Sequence, residues 1–478
     1  LNAANLNMSN EKLAQYVAEV RTIRAWNYYC LFELWGGALP LNVSAGSDVP
    51  GTADADWDAS CKKIYNFIAS ELDETVDALA KEDGSHTTVN RANQAMNRML
   101  KARLLLNAEV FIGEKHYDEC EALSKEIISG TYGTYGLDSN YRNLYSIDNV
   151  KSPEVIFALA AEDGQGAANA ISNVRTMIGM WYGYADYFEQ SYDGIGAWNC
   201  VCLVPSYDNY GTVQPTGGTK GARCFLDAPY NDKLGAPYER FDDRDIRKQN
   251  YVYDAATKTH GPGMFLKGEM RANFGKGNIL TADADRDGQA LVYVDQLGTF
   301  LNLGRNLEVV MNPRWGETSS GVRLVKYPLY PNDDKGGFKS IDDVQFRLAE
   351  AYYNVAECEM RKGNSGEAKK YVDAVRQRYY RSGDRAAALS IPGPGFDSFD
   401  MDWMLSEWGK EYLGEGNRRR TDLRRFDKFT QGTWWFWGRA TEDGVNLPAK
   451  RDRKYEWYPL PQSALSVNPG LIQNPNYK

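Results

Sequence analysis

GEGNRRRTDLRRF, residues Gly414–Phe426, sets five arginines (Arg418, Arg419, Arg420, Arg424 and Arg425) into eight positions of a chain whose formal net charge is −9. Two readings compete: a patch for an anionic ligand, or a device that holds the fold together. The stretch is flanked by Glu407, Glu411 and Glu415 and contains Asp422. Carboxylates three or four positions away on a helix are natural partners for guanidinium groups. The acidic total agrees with an ion-paired brace between helices and tail, so function is sought elsewhere in the chain.

At 478 residues, with 43% apolar and 13% aromatic side chains, the chain has material for a large core and is not disordered. Its negative charge disfavours nucleic acid and anionic lipid surfaces as partners. Seven Cys, an odd number, on so long a chain do not make a disulfide scaffold. His86, His116 and His260 are the only histidines, which leaves little for His-based metal sites or catalytic triads. No apolar run reaches membrane-spanning length. No signal peptide is visible, and the first residues, LNAANLNMS, read as the middle of a chain, so a mature, trimmed or partial sequence is expected.

Working outward, the spacing predicts helices. Ser9 is placed to cap one that runs to Gly36-Gly37, with Leu13, Val17, Val20, Tyr28, Leu31 and Trp35 on one face. A second carries Trp57, Cys61, Ile64, Ile68, Leu72, Val76 and Leu79 at steps of three and four. Further pairs are expected at 90–112 and 117–129, split by Gly113, and at 343–361 and 366–378, split at Gly363. Ala108 and Cys120, like Ala356 and Ala368, stand 12 apart. Small residues at that separation let antiparallel helices cross closely, as in tetratricopeptide hairpins. A helix from about 402 to 413 is expected to continue into the arginine stretch. The tail, with Pro459, Pro461, Pro469 and Pro475, reads as extended. Between the helical parts, residues 161–340 are rich in Gly, Tyr, Asp and Asn, with strand-like runs at Ala290–Val294 and Val322–Val325. Long irregular insertions usually carry function.

The arginine stretch resembles the E-G-x-R-R-x-D-L-x-R-F signature of the SusD/RagB family of surface nutrient-binding lipoproteins. RTIRAWNYYCLFELWGGALPL, RMLKARLLLNAEV, SPEVIFAL, FRLAEAYYNVAE and KYEWYPLPQSALSVNPGLIQNPNYK resemble further family segments, in the family's order. The resemblance implies a mainly α fold: a tetratricopeptide-like helix-pair scaffold with a large loop-rich insertion containing short strands. The expected division is 1–160, an N-terminal helical part; 161–340, the ligand-binding insertion; and 341–478, a C-terminal helix pair, arginine-rich helix and extended tail. It also implies a non-catalytic protein at the cell surface of an outer membrane, with glycan as ligand and a SusC-like TonB-dependent transporter as partner. The family's signal peptide, lipidated Cys and preceding segment are not in this sequence, so the lipid anchor is not seen in it. The alternatives are a peptide-binding or protein-scaffold tetratricopeptide module and, less favoured, a glycoside hydrolase. With 64 Asp plus Glu, the occurrence of carboxylate pairs carries no information on hydrolysis.

Sugar binding needs flat apolar rings for C–H faces and planar polar groups for hydroxyls. Residues 179–200, GMWYGYADYFEQSYDGIGAWNC, supply the densest set: Trp181, Tyr182, Tyr184, Tyr187, Tyr192 and Trp198, with Asn199 beside the last. The competing reading is that these aromatics pack the loops onto the helices. Ala197-Trp198-Asn199-Cys200 resembles the segment whose Trp lines the sugar site of starch-type members. Those members' Tyr after an Asp-Gly pair has no aromatic counterpart; after Asp163-Gly164 the nearest positions are Asn169 and Ala170, which puts a starch-like ligand in doubt. Trp315 with Arg314 is a second candidate. GTWWFWGR, residues 432–439, reads as packing. No cofactor is required. Asp283, Asp285 and Asp287 have calcium-loop spacing, but Val294 stands where a bidentate Glu is needed, so an acidic turn is the favoured reading.

Overall fold

The computed structural model describes residues 3, 6–41, 51–161, 186–187, 203, 237–254, 256–281, 290–293, 299–301, 309–311, 322–328, 340–416, 418–431, 433–440 and 446–477. Five helices form the N-terminal part: α1 (Asn10–Trp35), α2 (Trp57–Thr75), α3 (Gln94–Leu106), α4 (Ala108–Ile112) and α5 (Tyr117–Ile128). Ser9 caps α1 by accepting from the Lys12 N–H. Asp56 and Asn93 cap α2 and α3 in the same way. Gly113 ends α4 in the left-handed conformation, φ +73°.

The α2 stripe is the buried one, with Cys61, Ile64, Ile68 and Leu72 in the core. In α1 the face is different from the expected one. Ala18, Thr22, Ala25, Tyr29 and Phe32 are buried, whereas Val17, Val20 and Leu31 are exposed, Val20 by 69%. The small side chains of Ala18, Thr22 and Ala25 let α2 and α3 approach, and close approach decides the buried face over hydrophobicity. The Thr22 hydroxyl meets that of Thr75 at 3.3 Å, and Asn97 donates to both.

Strand β1 (Val155–Leu159) closes this half. The insertion contributes short strands β2 (Tyr253–Asp254), β3 (Thr259–His260), β4 (Phe265–Leu266), β5 (Gly268–Glu269), β6 (Val292–Tyr293), β7 (Thr299–Leu301), β8 (Val309–Met311) and β9 (Arg323–Leu324), paired antiparallel as β2–β3, β4–β9, β5–β6 and β7–β8. The two strand-like runs read from sequence contain β6 and β9. Strand β10 (Asp343–Arg347) then pairs antiparallel with β1, Val155 opposite Arg347. Residues 343–347 are therefore strand, not the first turn of a helix: DVQFR buries Val344, Phe346 and Arg347 against β1. This two-stranded sheet ties the chain's two helical ends together.

Helices α6 (Ala349–Arg361), α7 (Ser365–Arg376), α8 (Ser382–Leu389), α9 (Met401–Glu411) and α10 (Arg418–Arg425) follow, then β11 (Thr433–Ala440), its partner β12 (Asn446–Lys450), and α11 (Gln462–Val467). Helix α6 packs on α5, α3 and α7, and α3 on α5, as stacked hairpins do. Ala108, Cys120, Ala356 and Ala368 are all fully buried. One core runs from Ala18 to Trp457 and unites both ends of the chain. The insertion has two small cores of its own, around Tyr251 and Tyr293 and around Phe241 and Phe265. The tail is not wholly extended; α11 interrupts it, and it lies along the end of α1 through Tyr458 N–H to Leu34 and Ile472 N–H to Ala38. Among the described residues no helix is long and apolar enough to cross a membrane.

Candidate functional site

The arginine stretch does not continue α9. Gly414 and Gly416 adopt φ +75° and +54°, and the chain turns before α10 begins. The turn aims the guanidinium groups in different directions. Arg425 grips Glu357 of α6 with both ends of its fork, at 2.7 and 2.8 Å, and also reaches Asn107 and Asp422. Arg418 pairs with Glu350 and Asp422. Arg420 donates to the carbonyls of Glu33, Tyr455 and Glu456, joining α1 to the tail. Arg424 donates to the Glu33 carbonyl and lies 3.9 Å from the Trp457 ring centroid. The stretch is thus a brace, as the charge pattern suggested, but its carboxylate partners are Glu350 and Glu357 on another helix, with Asp422. Residue spacing alone could not show this, because the turn carries α10 away from the α9 carboxylates.

Glu411 and Glu415 serve a second cluster, which docks the insertion. Arg347 reaches Glu154, Glu411 and Glu415 at 3.1, 2.7 and 2.9 Å. Arg378 joins Glu154 and Glu411. From the insertion come Lys326, paired with Glu415, and Arg247, paired with Asp245 and 3.6 Å from Glu411. Arg142 donates to the carbonyls of Gly261, Gly263, Val325 and Lys326. Burial opposes ionisation of Glu411, yet its guanidinium and ammonium neighbours hold it far below the usual carboxylate range. Burial pushes the Lys326 ammonium down to about 8, against the pull of Glu415. Removing one partner from such a cluster costs about 3–5 kcal/mol.

The candidate ligand residues Trp181, Tyr182, Tyr184, Trp198, Asn199, Asn169, Arg314 and Trp315, and the calcium candidates Asp283, Asp285 and Asp287, lie outside the described residues. So does Tyr192. Tyr187 of the aromatic run is described, and it packs: it is buried, donates to the Tyr251 carbonyl at 2.6 Å and meets Phe274 edge-on. Of GTWWFWGR the structure describes the backbone of β11 only. Among the described residues no group of three His, Cys, Asp or Glu side chains is placed to hold a metal ion.

What the described residues do enclose is a cavity of about 430 Å³, between Pro237–Phe241, Phe396, α9 and the start of α10. Sequence reasoning missed it. Its walls come from two stretches far apart in the chain, 237–241 and 396–428, and Arg419, at its edge, was assigned to the brace.

Comparison with known proteins agrees with this architecture. The chain is 26% identical to the starch-binding protein SusD of Bacteroides thetaiotaomicron over 484 residues, covering 98% of this chain and 74% of that protein. Among solved structures, a SusD superfamily protein from Bacteroides fragilis superposes with a TM-score of 0.60 at 18% identity, covering 98% of this chain and 81% of that one. Surface glycan-binding protein A from Bacteroides uniformis gives 0.56 at 18% identity, covering 99% and 80%. Surface glycan-binding protein A from Bacteroides thetaiotaomicron, solved with laminarihexaose, gives 0.54 at 18%, covering 98% and 80%. These likenesses show the fold. The family model described as the SusD family matches residues 153–477, well over half of the chain and all of the β1–β10, α6–α7 and arginine-brace elements: the protein belongs to the SusD family.

Proposed function

We propose that the protein is a non-catalytic glycan-binding protein of the cell surface, which holds an oligosaccharide and delivers it to a SusC-like TonB-dependent outer-membrane transporter. The observation that carries this reading is the aromatic run at 179–200, set in an insertion that a buried ionic cluster fastens to a SusD-family scaffold. The relative named as starch-binding and the neighbour solved with laminarihexaose support a glycan as the ligand class. Trp198, Trp181, Tyr182 and Tyr184 would offer ring faces to sugar C–H groups; Asn199, Asn169 and Arg314 beside Trp315 would take hydroxyls. The lipid-anchored placement follows from the family reading.

The absence of hydrolysis rests on the same reading. Burial opposes ionisation of the scaffold carboxylates, but guanidinium neighbours, joined by Lys326 at Glu415, hold Glu357 at about 2 and keep Glu350 and Glu415 below the usual range, so these three groups are ill suited to act as general acids. Affinity electrophoresis and calorimetry against a panel of neutral glycans test the proposal. Binding to at least one glycan, without release of reducing sugar, is expected. Binding to an extended peptide and to no glycan refutes the glycan reading and favours a peptide-loading role; release of reducing sugar refutes the non-catalytic one.

A further inference from the structure

We propose that the cavity between Phe396 and Arg419 is a second subsite, one that takes the carboxylate of an acidic sugar. Its carboxylate side chains are already matched. Asp402 pairs with Lys428 at 2.8 Å, Glu415 with Arg347 and Lys326, and Asp422 with Arg418 and Arg425. Lys410 is matched in turn by Glu407. Arg419 differs. Among the described residues it forms no ion pair, and Nη1 donates to the Leu405 carbonyl at 2.7 Å. Most of its N–H donors are therefore uncommitted.

Arg419 is exposed, and its guanidinium rests on the helix beside it. It lies flat against α9 at Gly409, where a Cβ would come within 2.9 Å of Nη1 and 3.1 Å of Cζ. A planar fork with free donors is the group best suited to a carboxylate. Across the cavity, Phe396 offers an apolar ring to a sugar face, and Arg240 stands 5.0 Å from that ring's centroid, adding positive charge. The cavity lies in the lower part of the range for ligand pockets, about 300–1,000 Å³. The preference for an anion rests on Arg419; the choice of a saccharide as its bearer rests on the glycan reading above.

The test uses the intact protein and two probes with one skeleton: a hexuronate trisaccharide and its fully methyl-esterified form, compared by calorimetry. The acid is expected to bind at least about tenfold more tightly, the scale of one charge-assisted hydrogen-bond pair. Arg419→Ala should abolish that preference. Gly409→Ala should also reduce it, because the new Cβ displaces the guanidinium without removing its charge, while the melting temperature stays level or rises, as Ala suits a helix better than Gly. That variant separates binding from folding. Equal affinity for acid and ester, a preference that survives both substitutions, or binding of neither probe overturns the subsite. The neutral-glycan panel decides the glycan reading independently.

Discussion

Replacing Arg425 by Met tests whether the arginine stretch is structural. The change keeps an unbranched apolar stem and removes the fork that holds Glu357, Asn107 and Asp422. Glu357 is fully buried and keeps Arg361 and the Trp408 indole N–H as partners. Its carboxyl sits at about 2, against an ordinary value of 4.5, with Arg425 the strongest opponent of burial. A depression of that size corresponds to about 3 kcal/mol, within the range of about 3–5 kcal/mol for breaking a buried ion pair. Unfolding entropy of roughly 2.1 cal/mol/K per residue gives about 1 kcal/mol/K for 478 residues. Arg425→Met should therefore lower the melting temperature by about 3–5 °C. The sign with pH is also fixed. A depressed carboxyl contributes stability that is present above about 4.5 and lost as pH falls towards 2. The variant's deficit should thus be largest at neutral pH and shrink in acid. Differential scanning fluorimetry from pH 7 to pH 3, with glycan calorimetry alongside, reads both. The double change Arg425→Met, Glu357→Gln should recover part of the loss. An unchanged melting temperature at pH 7, or an altered glycan preference at full stability, would refute the brace.

Three further outcomes follow from the geometry. On α1, Val20→Ser should change stability by no more than about 0.5 kcal/mol, whereas Ala25→Leu should cost about 1–3 kcal/mol by overpacking; denaturant titrations giving the reverse order would place the helix in the wrong rotation. His260 is pushed down to about 4 by burial and by Arg142. Since its ordinary value is 6.5, the unfolded chain binds the extra proton between those values, and stability falls as pH drops from about 6.5 to about 4. His260→Gln should flatten that part of the profile, and an imidazole titrating near 6.5 by NMR would contradict its buried setting. Gly414→Ala should cost about 1–3 kcal/mol, because φ is +75° and the Cβ would stand 2.7 Å from Leu324 Cδ2; an unaffected melting temperature would argue against the turn between α9 and α10.

Much of the scaffold was legible from local signals. Ser9, the α2 stripe and Gly113 each mark a boundary or a face through interactions within a few residues. The misreadings share a cause, since each depends on contacts distant in sequence. The larger apolar residues of α1, Val17, Val20 and Leu31, lost the core to Ala18 and Ala25 because α2 and α3 come close there. Residues 343–347 look helical until β1, nearly 190 positions earlier, pairs with them. Glu407 and Glu411 seemed to belong to the arginines until Gly414 and Gly416 turned the chain. The cavity at Arg419 was illegible for the same reason. The aromatic run could be nominated from composition, but which rings face a ligand is not encoded in their spacing. Tyr187 shows that at least one of them belongs to a core.

If the aromatic loops carry the proposed glycan recognition while Arg418, Arg420, Arg424 and Arg425 hold the scaffold, variants of the two groups must behave differently. Calorimetric titration of one bound glycan into the wild type, the Trp181→Ala, Trp198→Ala double variant and Arg425→Met separates the two roles. The double variant should lose at least about tenfold in affinity, since each ring face lost is worth about 1 kcal/mol or more, and Arg425→Met should bind as the wild type does below its melting temperature. Undiminished binding by the double variant, or loss of binding by folded Arg425→Met, would contradict that division of roles.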